Sequence, residues 1–313
     1  MQITCIANHL HQSHALMSWI SRSIIAVAVF TGMTLASASG ALPEKRLRVV
    51  STMTILNDLV RNVGCDHVEA FSLLKPGMDS HGYEPAPDDV KQVSRADLLI
   101  CVGLGFEGWM QKLLGDSGWS GHVVVASDGI DFSQSTERNE QDPHVWQDVR
   151  DTVKMVENIR DALVQADSAH VDDYRAAAAL YIAQLQALDA WTKRLFAALP
   201  RSQRKLVTSH DAFQYFGKAY GIEIRSLAGL TTEPETDARH IAAVVDYIKS
   251  QGVKGVFFEN VSNPKMLEQI ATEAGVKIGG ELYSDSLGAE GQPSATYIGM
   301  FRSNVLTILR SIR

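Results

Sequence analysis

An α/β fold of two similar lobes, each built on a mostly parallel sheet and joined by one long rigid linker helix, is predicted by three features of the 313-residue sequence. Short, almost wholly apolar runs alternate with stretches of helical spacing, the pattern of strands covered on both faces by crossover helices. A stretch of about 30 residues, VDDYRAAAALYIAQLQALDAWTKRLFAAL, contains neither Gly nor Pro, and at 1.5 Å per residue it makes a rod of roughly 45 Å. After that rod the strand and helix alternation resumes.

The elements follow in order. Residues 47–51 form a buried apolar strand, and Ile55, Leu59 and Val63 recur at helical spacing until Gly64. Residues 68–73 read as a second strand. Pro87-Asp88-Asp89 starts a helix with Val90, Val93 and Ala96 on one face, and 98–102 and 122–126 are further strands. Helices over 149–166 and 169–199 follow, with Asp167 and Ser168 as the cap between them, and Pro200 ends the rod. The second lobe then takes strands at 205–208, 222–227, 256–259 and 277–281, with helices over 213–220, 236–251, 264–274 and 297–312. The expected division is a signal peptide at 1–38, an N-terminal lobe at 39–168, the linker helix at 169–200 and a C-terminal lobe at 201–313.

The leader sets the compartment. Arg22 precedes the apolar run 24–35, and Ala36-Ser37-Ala38 offers a cleavage site, so export to the periplasm is expected. That run is shorter than the roughly 20 residues a membrane span needs. Met17 is an alternative start to Met1. No cysteine follows the run, which predicts a product without a lipid anchor. Lys+Arg 29 against Asp+Glu 36 gives a formal net charge of −7, which argues against nucleic acid as a partner. Three cysteines, Cys5, Cys65 and Cys101, are too few for a disulfide scaffold or a thiolate zinc cluster. Cys65 and Cys101 are left without a bridge to one another, since their proximity is not legible in sequence.

Any metal must therefore use His and carboxylates. Ten histidines are present, and three of them share one setting, where a loop leaves a secondary-structure element: His81 in DSHGYEPAP, His144 in DPHVW and His210 in TSHDAF. Asp285 in YSDSLG follows the last strand in the same way. Loops at strand carboxyl ends are where open α/β sheets bind ligands. Two candidates come from each lobe, which places the site between them. Neutral imidazoles with one carboxylate suit a divalent first-row metal, and zinc accepts four such ligands tetrahedrally; magnesium and calcium call for oxygen ligands. Asp142 and Asp211 are candidates to hold ring N–H groups. His67, His122, His170 and His240 are set aside, because they lie at strand starts or on polar helical faces.

DSHGYEPAP, GLGFEGWM, DPHVW, the Ala-rich helix, TSHDAFQYFGKAYGIE and YSDSLG, in that order, resemble the zinc/manganese solute-binding proteins of bacterial ABC importers. The resemblance implies two α/β lobes joined by a rigid helix, with a metal held between them at His81, His144, His210 and Asp285. It also implies an inner-membrane ABC permease as partner; a metallochaperone that loads the protein is left open, a monomer is expected, and a closed four-ligand site argues for carriage over catalysis. In such families the third ligand is often His in zinc-type members and Glu in manganese-type members, and this chain has His210. Ligand softness favours Zn²⁺ as the bound cargo, with Mn²⁺ or iron as the alternative. The loop before His144, SDGIDFSQSTERNEQ, carries acids but no histidine, a departure from the His-rich loop frequent in zinc-type members.

Three rival readings are weighed. GLGFEG matches a dinucleotide-binding fingerprint with Asp128 at a suitable offset, but it follows at least two strands instead of opening the fold. A zinc hydrolase would need an open coordination position and a base; H-E-x-x-H is absent, and Glu259 or Glu281 would have to serve. An adhesin would need display at the outer surface. A continuous linker helix predicts small lobe rocking with rearrangement of the Asp285 loop in place of a wide hinge.

Overall fold

The structure is a computed structural model that describes residues 45–131, 141–233 and 237–313. The signal peptide expected at 1–38 and most of the loop before His144 lie outside the described residues. Leu47–Arg313 forms one compact unit.

The first sheet contains β1 (Leu47–Ser51), β2 (Val68–Ser72), β3 (Leu98–Cys101) and β4 (His122–Val125), all parallel, in the order β2-β1-β3-β4. Its helices are α1 (Thr54–Gly64), α2 (Pro87–Ser94) and α3 (Met110–Ser117). The second sheet repeats the arrangement, with β5 (Lys205–Thr208), β6 (Glu223–Ser226), β7 (Gly255–Glu259) and β8 (Ile278–Leu282) in the parallel order β6-β5-β7-β8. Between the sheets the chain runs through α4 (Val149–Ala166) and α5 (Val171–Ala197). The second lobe adds α6 (Gln214–Tyr220), α7 (Ala238–Gln251), α8 (Lys265–Ala274) and α9 (Tyr297–Ile312).

Strand alternation divides the core into three parts. Val50, Leu99 and Cys101 pack on the outer face of the first sheet, and Val207 and Val256 pack on the outer face of the second. Their neighbours Val49, Leu98, Ile100, Leu206 and Phe257 point the other way, into one continuous core. That core also takes Tyr174, Tyr181, Leu185, Leu188 and Phe196 from α5, a stripe at helical spacing. The connecting helix is thus packed into both lobes along its length of about 40 Å. A shared close-packed interior resists wide opening, because separating the lobes would expose it to water.

Local chemistry fixes the ends of these elements. Pro87 occupies the first turn of α2, and the Asp89 carboxylate accepts the Ala86 N–H at 2.7 Å. Asp148 caps α4 by accepting the Arg150 N–H at 2.9 Å. Cys101 is a buried free thiol, so it does not bridge to Cys65. Among the described residues no helix is long and apolar enough to cross a membrane.

Candidate metal centre

Each of the four candidate residues sits just beyond a strand or at the entry to a helix, where the backbone leaves its ladder and a side chain can turn into the cleft. His81 lies on the connection from β2 to α2, its N–H donating to Asp79 Oδ1 at 2.9 Å. Its ring meets the face or edge of Phe106 with centroids 5.1 Å apart. His144 precedes α4 and is fully buried. Oδ1 of Asp142 accepts both the His144 backbone N–H at 2.9 Å and its Nδ1–H at 2.7 Å. His210 directly follows β5 and is likewise buried, with its N–H donating to Glu259 Oε1 at 3.0 Å and its Nδ1 against Glu259 Oε2. Asp285 follows β8 and is 2% exposed.

An Nδ1–H given to a carboxylate leaves Nε2 as a lone-pair donor, the form a metal requires. The three Nε2 atoms and the Asp285 carboxylate converge. His81 Nε2 lies 3.5 Å and His210 Nε2 3.3 Å from Asp285 Oδ2, while His144 Nε2 lies 3.6 Å from Oδ1 and 3.3 Å from His210 Nε2. One ligand atom from each of the four residues falls within 4.8 Å of all the others, and no second such group occurs among the described residues. His67 and His170, which sequence reasoning set aside, stack on each other near the start of α5 and pair with Asp173 and Asp167.

The electrostatics follow from this packing. Burial disfavours the charged form of His210, but the carboxylates of Glu259 and Asp285 outweigh it and hold the imidazole well above its ordinary range. Burial likewise opposes ionisation of Asp285, and His210 and His144 reverse that, holding the carboxyl well below its usual range. Neither Asp285 oxygen, nor Nε2 of His81, has a well-formed hydrogen bond, although all are buried. Buried polar atoms that are left unsatisfied are costly, so this set is built for a group that binds all of them together.

Several sequence assignments are refined. Asp142 holds a ring N–H as expected. Asp211 does not: its carboxylate takes the side-chain amide of Gln214. The partner of His210 is Glu259, which sequence reasoning had considered only as a hydrolytic base; the signal that could have found it is an acid ending the apolar run VFFE. Glu281, the other candidate base, is exposed on β8. The glycine-rich turn after β3 is no phosphate cradle. Gly103 has φ +87°, and a Cβ there would stand 2.5 Å from Val125, so glycine is required. The N–H groups of Val102 and Gly103 are taken by the Glu107 carboxylate at 2.7 and 3.0 Å, with the Thr52 hydroxyl donating at 2.7 Å. Burial pushes the Glu107 carboxyl up, and these donors partly offset it. The same turn presents Phe106 to His81 and Trp146 as an apolar wall.

A family model described as "ZnuA: Zinc-uptake complex component A periplasmic" matches residues 49–311. The chain is 35% identical over 298 residues to the manganese-binding lipoprotein MntA of Bacillus subtilis, covering 93% of this chain and 97% of that protein. It is 33% identical over 297 residues to the iron-binding protein YfeA of Yersinia pestis, covering 91% and 95%. Among solved structures, the periplasmic zinc-binding protein TroA of Treponema pallidum superposes with a TM-score of 0.82 at 33% identity, covering 86% of this chain and 99% of that one. From these matches, the chain belongs to the zinc/manganese solute-binding protein family of ABC importers.

Proposed function

We propose that the protein captures one divalent transition-metal ion as cargo, with zinc preferred, through His81, His144, His210 and Asp285, and delivers it to an inner-membrane ABC permease. The observation that carries this reading is the spacing of the donor atoms. Zn–N and Zn–O bonds of about 2.0–2.1 Å arranged tetrahedrally put neighbouring ligand atoms about 3.3 Å apart. Four of the contacts between these side chains run from 3.3 to 3.6 Å, and one ligand atom from each residue lies within 4.8 Å of all the others. Contraction of the wider-spaced atoms around an ion would complete the shell.

Three imidazoles and one carboxylate are a softer set than the oxygen-rich shells of manganese, which favours zinc. The relatives named for manganese and iron keep those ions as competitors, and the Irving–Williams order makes zinc hard to exclude from any such site. Carriage is favoured over hydrolysis because Asp285 takes the fourth position and Glu259, the base that hydrolysis would call on, is committed to His210.

Competitive titration of metal-free protein with zinc and manganese tests the proposal. Tight zinc binding is expected, with His210→Glu moving the preference toward manganese. Failure of both ions to bind the unaltered protein would reject it.

A further inference from the structure

Asp285 belongs to the second lobe, yet most of the bonds that fix the peptides flanking it come from the first half of the chain; the second lobe adds Asn260, whose Nδ2–H donates to the Ser286 carbonyl at 3.2 Å. The Ser284 carbonyl accepts Trp146 Nε1–H at 2.7 Å and Gln147 Nε2–H at 2.8 Å. The Ser286 hydroxyl accepts the Gly77 N–H at 2.8 Å. The Leu287 N–H donates to Thr54 Oγ1 at 2.9 Å, and that hydroxyl also lies 3.4 Å from Ser286 Oγ. All of Ser284, Ser286 and Leu287 are nearly or fully buried.

Thr54 is the instructive member. It is the first residue of α1, whose N-cap, Met53, offers no side-chain acceptor to the helix. Hydroxyls at helix starts ordinarily serve the helix's own N–H groups. Here the hydroxyl is turned across the cleft and receives a backbone donor of the opposite lobe. Since the Asp285 oxygens face only the imidazoles, their position depends on how firmly the flanking peptides are held.

We infer that Thr54 is a positioning residue for cargo retention: it clasps the Asp285 loop to the first lobe, so that opening this contact accompanies release of the ion. The inference rests on the metal-carrier reading above. A clasp made in the loaded state slows dissociation more than it alters capture, and it explains how one lobe supplies a ligand that the other lobe aims.

The test mixes zinc-loaded full-length protein with excess chromophoric chelator in a stopped-flow instrument. Thr54→Val keeps the shape and removes the acceptor, and zinc should dissociate about 5- to 20-fold faster, the effect of one lost hydrogen bond with an orphaned donor. Thr54→Ser, which keeps the hydroxyl, should restore a rate within about twofold of the unaltered protein. In an Asp285→Ala background, Thr54→Val should add nothing, because there is no carboxylate left to aim. An unchanged rate in Thr54→Val, or an equal acceleration in both backgrounds, would overturn the inference while leaving metal carriage intact. Should Thr54→Val fail to fold, Ser286→Ala, which loses the Gly77 contact, carries the same expectations. Absence of zinc binding by the unaltered protein would instead overturn the carrier reading and the inference with it.

Discussion

Glu259→Gln perturbs the centre without touching a candidate ligand, and its consequence can be worked from the geometry. Both oxygens of Glu259 are engaged by His210, one by the backbone N–H at 3.0 Å and the other by Nδ1. Glutamine has a single acceptor. If that oxygen keeps the backbone N–H, the amide NH₂ faces Nδ1, and the ring must carry its proton on Nε2, the atom that points into the site. If the amide turns round, a buried backbone N–H is left opposite a second donor, at a cost of about 1–3 kcal/mol. Each route penalises the metal-competent form, and changes of this kind typically lower affinity by about 10- to 100-fold. That range corresponds to about 1.4–2.7 kcal/mol. Equilibrium competition against a chelator of known affinity measures it, with circular dichroism as the check on folding and long-range ¹H–¹⁵N spectra reporting the imidazole tautomer. A folded variant that binds zinc within about threefold of the unaltered protein would refute the reasoning that Glu259 sets the tautomer of His210.

Two further outcomes follow from the charge distribution. Because the metal-free site holds His210 protonated above the ordinary imidazole range, zinc must displace that proton, and calorimetry in buffers of different ionisation enthalpy should find about one proton released per ion near pH 7, with affinity falling on acidification; release of none would contradict the assignment. Asp58 on α1 is raised from 3.8 to about 6 by burial, opposed by the Tyr297 N–H, Arg61, the Tyr181 hydroxyl and Asn62. A folded-state value above the unfolded one means that its favourable contribution is complete below about pH 4 and is lost as pH rises through about 6. Asp58→Asn should therefore stabilise the metal-free protein at pH 7.5 by up to about 3 kcal/mol, and at pH 4.5 by only about 1 kcal/mol. Thermal unfolding at both values measures the difference, and an equal shift at both would contradict it.

The sequence by itself determined the local elements and the positions of the candidate ligands. Several strands and helices, among them β1, α4, β5 and α9, end where periodicity, Pro and capping residues put them, because those signals act within a turn or two of the chain. His81, His144, His210 and Asp285 stood out as candidates for a similar reason: each stands on a loop that follows a strand or leads into a helix, and loops at the strand carboxyl ends of a parallel α/β sheet are where ligands bind. What surrounds them was decided only by the tertiary structure. Glu259 holds His210 because β7 lies beside β5 in the sheet, which brings the carboxyl end of one strand against the loop leaving the other. Asp211, adjacent in sequence, is drawn to Gln214 instead. The filling of the glycine-rich turn by Glu107, and the hold of Thr54 on the loop of Asp285, likewise join residues whose meeting depends on strand order and on the packing of α5 between the lobes. Periodicity fixes which face a side chain takes, but it carries no information about which distant segment will be packed against that face.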